Sequence, residues 1–107
     1  MVCAGQTEKA VINMNNTIKK VLVSNMESPR TGAPVANQFI ISTDEGLYFQ
    51  SYRTLIALKQ NGKVYLDENS WDYSRTTGKY RNRFLGENTA ETRKKIKSGE
   101  YILINLN

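Results

Sequence analysis

Residues 71–85 read Trp71-Asp72-Tyr73-Ser74-Arg75-Thr76-Thr77-Gly78-Lys79-Tyr80-Arg81-Asn82-Arg83-Phe84-Leu85, the densest mixture of cationic, aromatic and hydroxyl groups in the chain. Wound as a helix, the segment puts Arg75, Lys79 and Arg83 in one row at steps of four. Tyr73, Thr77, Tyr80 and Phe84 fall on another face at steps of three or four. Arginine donates a fork of hydrogen bonds that matches phosphate or carboxylate, and a tyrosine ring can stack on a nucleobase. A second basic cluster, Arg93, Lys94 and Lys97, follows closely. The expected partner- or nucleic-acid-binding set is therefore Tyr73, Arg75, Lys79, Arg81, Arg83, Arg93, Lys94 and Lys97. The competing reading makes Tyr80, Phe84 and Leu85 core and leaves the basic row merely solvated. Trp71 reads first as a plug for a small core, and second as a binding hot spot.

Other chemistry is poorly supplied. Histidine is absent and cysteine occurs once, at Cys3. Ser-His-Asp triads, Cys-His pairs, zinc fingers and internal disulfides are thereby removed. Asp67, Glu68 and Asp72 cluster, but without the spacing and turn glycine of a calcium loop. Gly78-Lys79 is no phosphate loop, because no glycine stands five residues earlier and no Ser or Thr follows. A non-enzyme with no metal and no cofactor is expected. Tyr48, Gln50 and Tyr52 alternate as one face of a strand. They are expected to pack under the helices rather than to form a base-stacking platform, since no basic pattern accompanies them.

Charge is unevenly distributed. The 107 residues carry a net charge of +5. Up to residue 52, Lys9, Lys19, Lys20 and Arg30 are cancelled by Glu8, Glu27, Asp44 and Glu45. Between 75 and 97, eight basic residues meet only Glu87 and Glu91. Such a block attracts polyanions or an acidic protein face. No run of about 20 apolar residues suggests a membrane span. Met1–Gln6 has neither the basic start nor the apolar stretch of a signal peptide, and a lone Cys suits a reducing compartment. The cytoplasm is the expected location.

The elements that must position these groups follow from pattern. Residues 1–18 are expected to form a flexible arm or short helix, with Ala10, Val11, Met14 and Ile18 at helical spacing and Asn13, Asn15 and Asn16 weakening it. A single domain spans 19–107. Val21-Leu22-Val23 reads as a short strand, and 24–37, with Pro29, Gly32 and Pro34, as a long loop. Alternation over 38–43, a turn at Asp44-Glu45-Gly46, and further runs at 47–52, 54–58 and 63–66 predict a four-stranded antiparallel meander. Asn61-Gly62 supplies its clearest hairpin turn. Ser74 should cap a helix that stops at Gly86, and Asn88 with Glu91 should box the start of a second helix ending at Ser98-Gly99. Residues 101–105 read as a last strand returning to the sheet. The expected class is α+β, an antiparallel meander packed against two short C-terminal helices.

The strings Pro34-Val35-Ala36-Asn37-Gln38-Phe39, Tyr48-Phe49-Gln50-Ser51-Tyr52 and Trp71-Asp72-Tyr73-Ser74, with Thr76-Thr77-Gly78-Lys79-Tyr80 and Phe84-Leu85, resemble a family of small proteins encoded by phages and prophages of Gram-positive bacteria. The similarity covers about residues 19–107. It implies a mobile-element accessory protein in the host cytoplasm that acts by stoichiometric binding. Anti-CRISPR proteins and other inhibitors of host defence work in this way, so a host defence protein or ribonucleoprotein is the first partner class. Direct nucleic-acid binding through the basic helices is the second reading, and a phage assembly component the third.

Overall fold

The structure is a computed structural model that describes residues 7–12 and 18–107. Seven strands form one sheet in chain order: β1 (Thr7–Ile12), β2 (Ile18–Glu27), β3 (Pro34–Thr43), β4 (Gly46–Ser51), β5 (Thr54–Gln60), β6 (Lys63–Asp67) and β7 (Tyr101–Ile104). Neighbours are antiparallel up to β6. Helices α1 (Arg75–Leu85) and α2 (Thr89–Ser98) then carry the chain over the sheet, so that β7 returns parallel to β6. The α+β class is as expected, with a meander longer than four strands.

Residues 7–12 are a strand on the edge of the sheet rather than a free arm or helix. Met14 and the three early asparagines lie outside the described residues. The expected loop 24–37 is mostly strand, because β2 runs on to Glu27 and β3 already starts at Pro34. Pro29 and Gly32 sit in a tight turn, closed by Ser28 N–H to Ala33 O and Gly32 N–H to Ser28 O, while Pro34 already opens β3. Between Asn25 and Glu27 the register slips against Phe39 and Pro34, so β3 bulges there, with Asn37 left-handed at φ 67°.

Phe49, Ala57 and Leu66 are successive cross-strand partners and fully buried beneath the helices, where Phe49 stacks on Phe84 at 5.9 Å. Met26, Ile56, Tyr80 and Tyr101 complete this core, with Trp71, Leu85 and Ile96 packed against it. Tyr80, Phe84 and Leu85 thus serve the core, and Trp71 plugs its edge. The face chosen for β4 is the other one from that expected. Leu47, Phe49 and Ser51 turn toward the helices, while Tyr48 belongs to a row Val23–Ile41–Tyr48–Leu58–Tyr65–Ile102 on the opposite face. Both faces of β4 are apolar enough to be buried, so alternation fixes the period and leaves the side open.

Two pinned carboxylates hold the end of the fold. Asp67 accepts from Leu106 N–H at 2.9 Å and Asn69 N–H at 3.3 Å. Burial pushes its pKa up, but these donors outweigh it and hold the carboxyl below its ordinary value. Glu87, between the helices, accepts from Lys95 Nζ and Tyr101 Oη, each at 2.7 Å, and from Thr92 Oγ1. Burial opposes ionisation here too, yet the three donors leave the Glu87 pKa lowered. Burial, then the Glu87 carboxylate, push the Tyr101 phenol up to about 12.

Candidate functional site

Helix α1 is fixed at its start by a chain of hydroxyls. Ser74 Oγ accepts from Thr77 N–H at 3.2 Å and donates to Thr77 Oγ1 at 3.1 Å. Thr77 Oγ1 in turn shares a hydrogen bond of 2.9 Å with Ser51 Oγ of β4. The helix ends at Gly86, left-handed at φ 73°, whose N–H reaches Asn82 O. The expected box opens α2, with Glu91 N–H donating to Asn88 Oδ1 and Asn88 N–H to Glu91 Oε1, each at 2.9 Å. Both helices therefore stand where their cap residues dictate, and their outward rows are rigidly presented.

Arg75, Lys79, Arg83, Lys94 and Lys97 are all exposed, and among the described residues none of the five has an ion-pair partner. Lys79 only rests its ammonium over the Tyr80 ring at 5.5 Å. An open groove of about 600 Å³ runs beside the row, lined by Asp72, Ser74, Arg75, Gly78, Lys79, Asn82 and Thr89. Asp72 is already neutralised by two arginines, so the groove offers donors to an anion.

Arg81 does not belong to that face. It is 0% exposed and ties the turn before α1 to the start of α2. Its guanidinium donates to Trp71 O at 2.6 Å, Asp72 Oδ1 at 3.2 Å, Asn82 Oδ1 at 2.9 Å and Thr89 Oγ1 at 2.8 Å, and lies 5.1 Å over the Trp71 ring. The spacing that turns Thr77, Tyr80 and Phe84 inward turns position 81 inward as well, which is the signal the row-based reading passed over. Arg93 is 60% exposed but committed to Asp72 Oδ2 at 2.6 Å and to Trp71, 5.7 Å from its ring. Trp71 is thus approached by two guanidinium groups, both held by Asp72. Lys95 spends its charge on Glu87.

A second concavity, of about 720 Å³, lies where the β4–β5 turn meets the start of α1. Asn37, Tyr52, Arg53 and Tyr73 line it, and the Ser51–Thr77 hydroxyl pair also belongs to its lining. Tyr52 is the first residue of a two-residue turn and left-handed at φ 58°, a region in which non-glycine residues cost of order 1–3 kcal/mol. Its N–H donates to Asn37 O at 2.7 Å, and its own carbonyl accepts from Gln50 Nε2 at 2.8 Å. Both left-handed residues are thereby locked together at the mouth. Tyr73, one of the expected binding residues, is 76% exposed there; Tyr52, expected to pack under the helices, is exposed instead, and Arg53 was missed, since nothing in the sequence marks a tyrosine held at positive φ.

Among the described residues no three His, Cys, Asp or Glu side chains gather as a metal site, and no helix is long and apolar enough to cross a membrane. A family model described as a family of unknown function, DUF8033, matches residues 7–99. The chain belongs to the DUF8033 family. No curated protein and no solved structure matches it. The matched span of this DUF8033 member includes β1, the five exposed cations, the groove and the cleft, and stops just before β7.

Proposed function

We propose that the chain is a non-enzymatic accessory protein of a phage or prophage. It acts in the cytoplasm of a bacterial host by stoichiometric docking on a host-defence protein or ribonucleoprotein, as an anti-CRISPR-like inhibitor. The observation that carries this reading is the α1–α2 face, where Arg75, Lys79, Arg83, Lys94 and Lys97 stand exposed with no carboxylate partner among the described residues. A fold that pairs Arg81, Arg93 and Lys95 yet leaves five neighbours unpaired keeps a positive potential available for a partner. The groove beside those charges is lined by Arg75 and Lys79, and its one carboxylate, Asp72, is already paired with Arg81 and Arg93, which leaves it suited to phosphate oxygens. That groove also favours a second reading, direct binding of nucleic acid by the same face.

The test is affinity capture from extract of a Gram-positive host, with the native protein and the triple variant Arg75→Ala, Lys79→Ala, Arg83→Ala as baits. The first reading predicts a defined, stoichiometric complex that the triple variant loses. Capture that disappears on nuclease treatment and reappears with bare nucleic acid would favour the second. Equal capture by both baits would remove the basic face from either account.

A further inference from the structure

Four large hydrophobic side chains are exposed among the described residues, and two of them, Tyr52 and Tyr73, line one cleft. An exposed tyrosine alone is unremarkable; two on one concavity, with backbone strain holding one of them, require a reason. The cleft carries a single charge, that of Arg53, and no carboxylate lines it. Its volume falls within the range of small-ligand sites, roughly 300–1,000 Å³. Aromatic walls select a planar ring, the lone guanidinium selects a negative charge beside that ring, and the exposed Asn37 amide supplies hydrogen bonds to polar edges. Position also matters, because Tyr73 directly precedes Ser74, the cap of α1, and Arg75 begins the basic row. Tyr73 of the cleft and Arg75 of the row are therefore two residues apart in the chain, on either side of the Ser74 cap.

We infer that this cleft binds a nucleotide, its base stacked on the rings of Tyr52 and Tyr73 and its phosphate held by Arg53. The inference rests on the second reading above, direct binding of nucleic acid by the basic face, and names the unit recognised there: one nucleotide leaves its neighbours and enters the cleft while the adjoining phosphates lie along Arg75, Lys79 and Arg83. The same chemistry would be met by a free mononucleotide or by one nucleotide within a single strand.

Both sources are tested by titrating the four ribonucleoside monophosphates, the matching nucleosides and a short single-stranded oligonucleotide into the full chain, followed by calorimetry and amide chemical shifts. Saturable shifts confined to residues 51–54, 70–77 and the neighbourhood of Asn37 are expected with at least one monophosphate. Tyr73→Ala, at an exposed position where folding is undisturbed, should weaken that binding by roughly 5- to 100-fold, the scale of one base–aromatic stack. Tyr73→Phe should restore it. Arg53→Gln should weaken the monophosphate but leave the nucleoside unchanged. No saturable shift at millimolar monophosphate, or binding indifferent to Tyr73→Ala, would overturn the assignment. Oligonucleotide binding that is lost in the α1 triple variant but indifferent to Tyr73→Ala would overturn the cleft while sparing the basic face. Monophosphate binding at the cleft without any oligonucleotide binding would do the opposite.

Discussion

The three arginines of α1 show how little residue type decides by itself. Arg75 and Arg83 are exposed, whereas Arg81 is sealed between Trp71, Asp72, Asn82 and Thr89 and makes four hydrogen bonds. Arg81→Met keeps the volume but strands the Trp71 carbonyl and leaves Asp72 with Arg93 alone. It is expected to cost about 3 kcal/mol in denaturant unfolding, since removing one partner of a buried pair leaves the others uncompensated. A loss below about 0.5 kcal/mol would mean that water replaces the guanidinium freely. Glu87 makes a prediction in pH. Its carboxyl is lowered in the fold by Lys95, Thr92 and Tyr101 against the effect of burial. The stability it contributes is therefore present above the ordinary glutamate pKa, near 4.5, and is lost as pH falls through the lowered value. Thermal melts should show Glu87→Gln about 2 kcal/mol less stable near neutrality, with the gap narrowing below roughly pH 4. A gap that stays constant into acid would contradict the assignment.

Each helix is bounded by the residues that chemistry requires, and this is where the sequence was most legible. Ser74, Gly86, the Asn88–Glu91 box and Gly99 all act as their types and spacing indicate, because capping is local. Gly78 is the exception inside α1. A Cβ built there would meet nothing nearer than 3.7 Å, so Gly78→Ala should stabilise the chain by about 0.5–1 kcal/mol through helix propensity. A rise in melting temperature would check it; a fall would mean that the contact over Arg81 and Asp72 is tighter than the geometry implies. The strands were less legible than the helices. Val21–Val23 marked only the middle of β2, because Lys19, Lys20, Ser24 and Asn25 carry no apolar alternation and are strand only through their pairing with β1 and β3. Pro29 and Gly32 looked like the signature of a long loop but punctuate one tight turn. The side of β4 that meets the helices was misjudged because alternation has no sign. Of the site, the exposed rows on α1 and α2 could be read from periodicity. The cleft could not, since Asn37, Tyr52 and Thr77 meet only through the β3 bulge, the β4–β5 turn and the hydroxyl chain that seats α1.

The described residues form a seven-stranded sheet with helices on one face and a flat outline of 40 × 37 × 21 Å. Its net charge of +5 is concentrated by the fold rather than dispersed. Arg81, Arg93 and Lys95 are consumed internally, and the remaining cations of α1 and α2 are exposed. If that face docks on phosphates, each neutralised phosphate releases counterion, and affinity must fall steeply with salt. The most direct measurement is fluorescence anisotropy of the protein with labelled single- and double-stranded DNA and RNA, at about 50 and about 200 mM salt. The predicted result is binding that weakens at least tenfold across that range and is abolished in the Arg75→Ala, Lys79→Ala, Arg83→Ala variant, whose melting temperature stays unchanged. Salt-independent binding, or full binding by a folded triple variant, would contradict phosphate docking by the α1–α2 face.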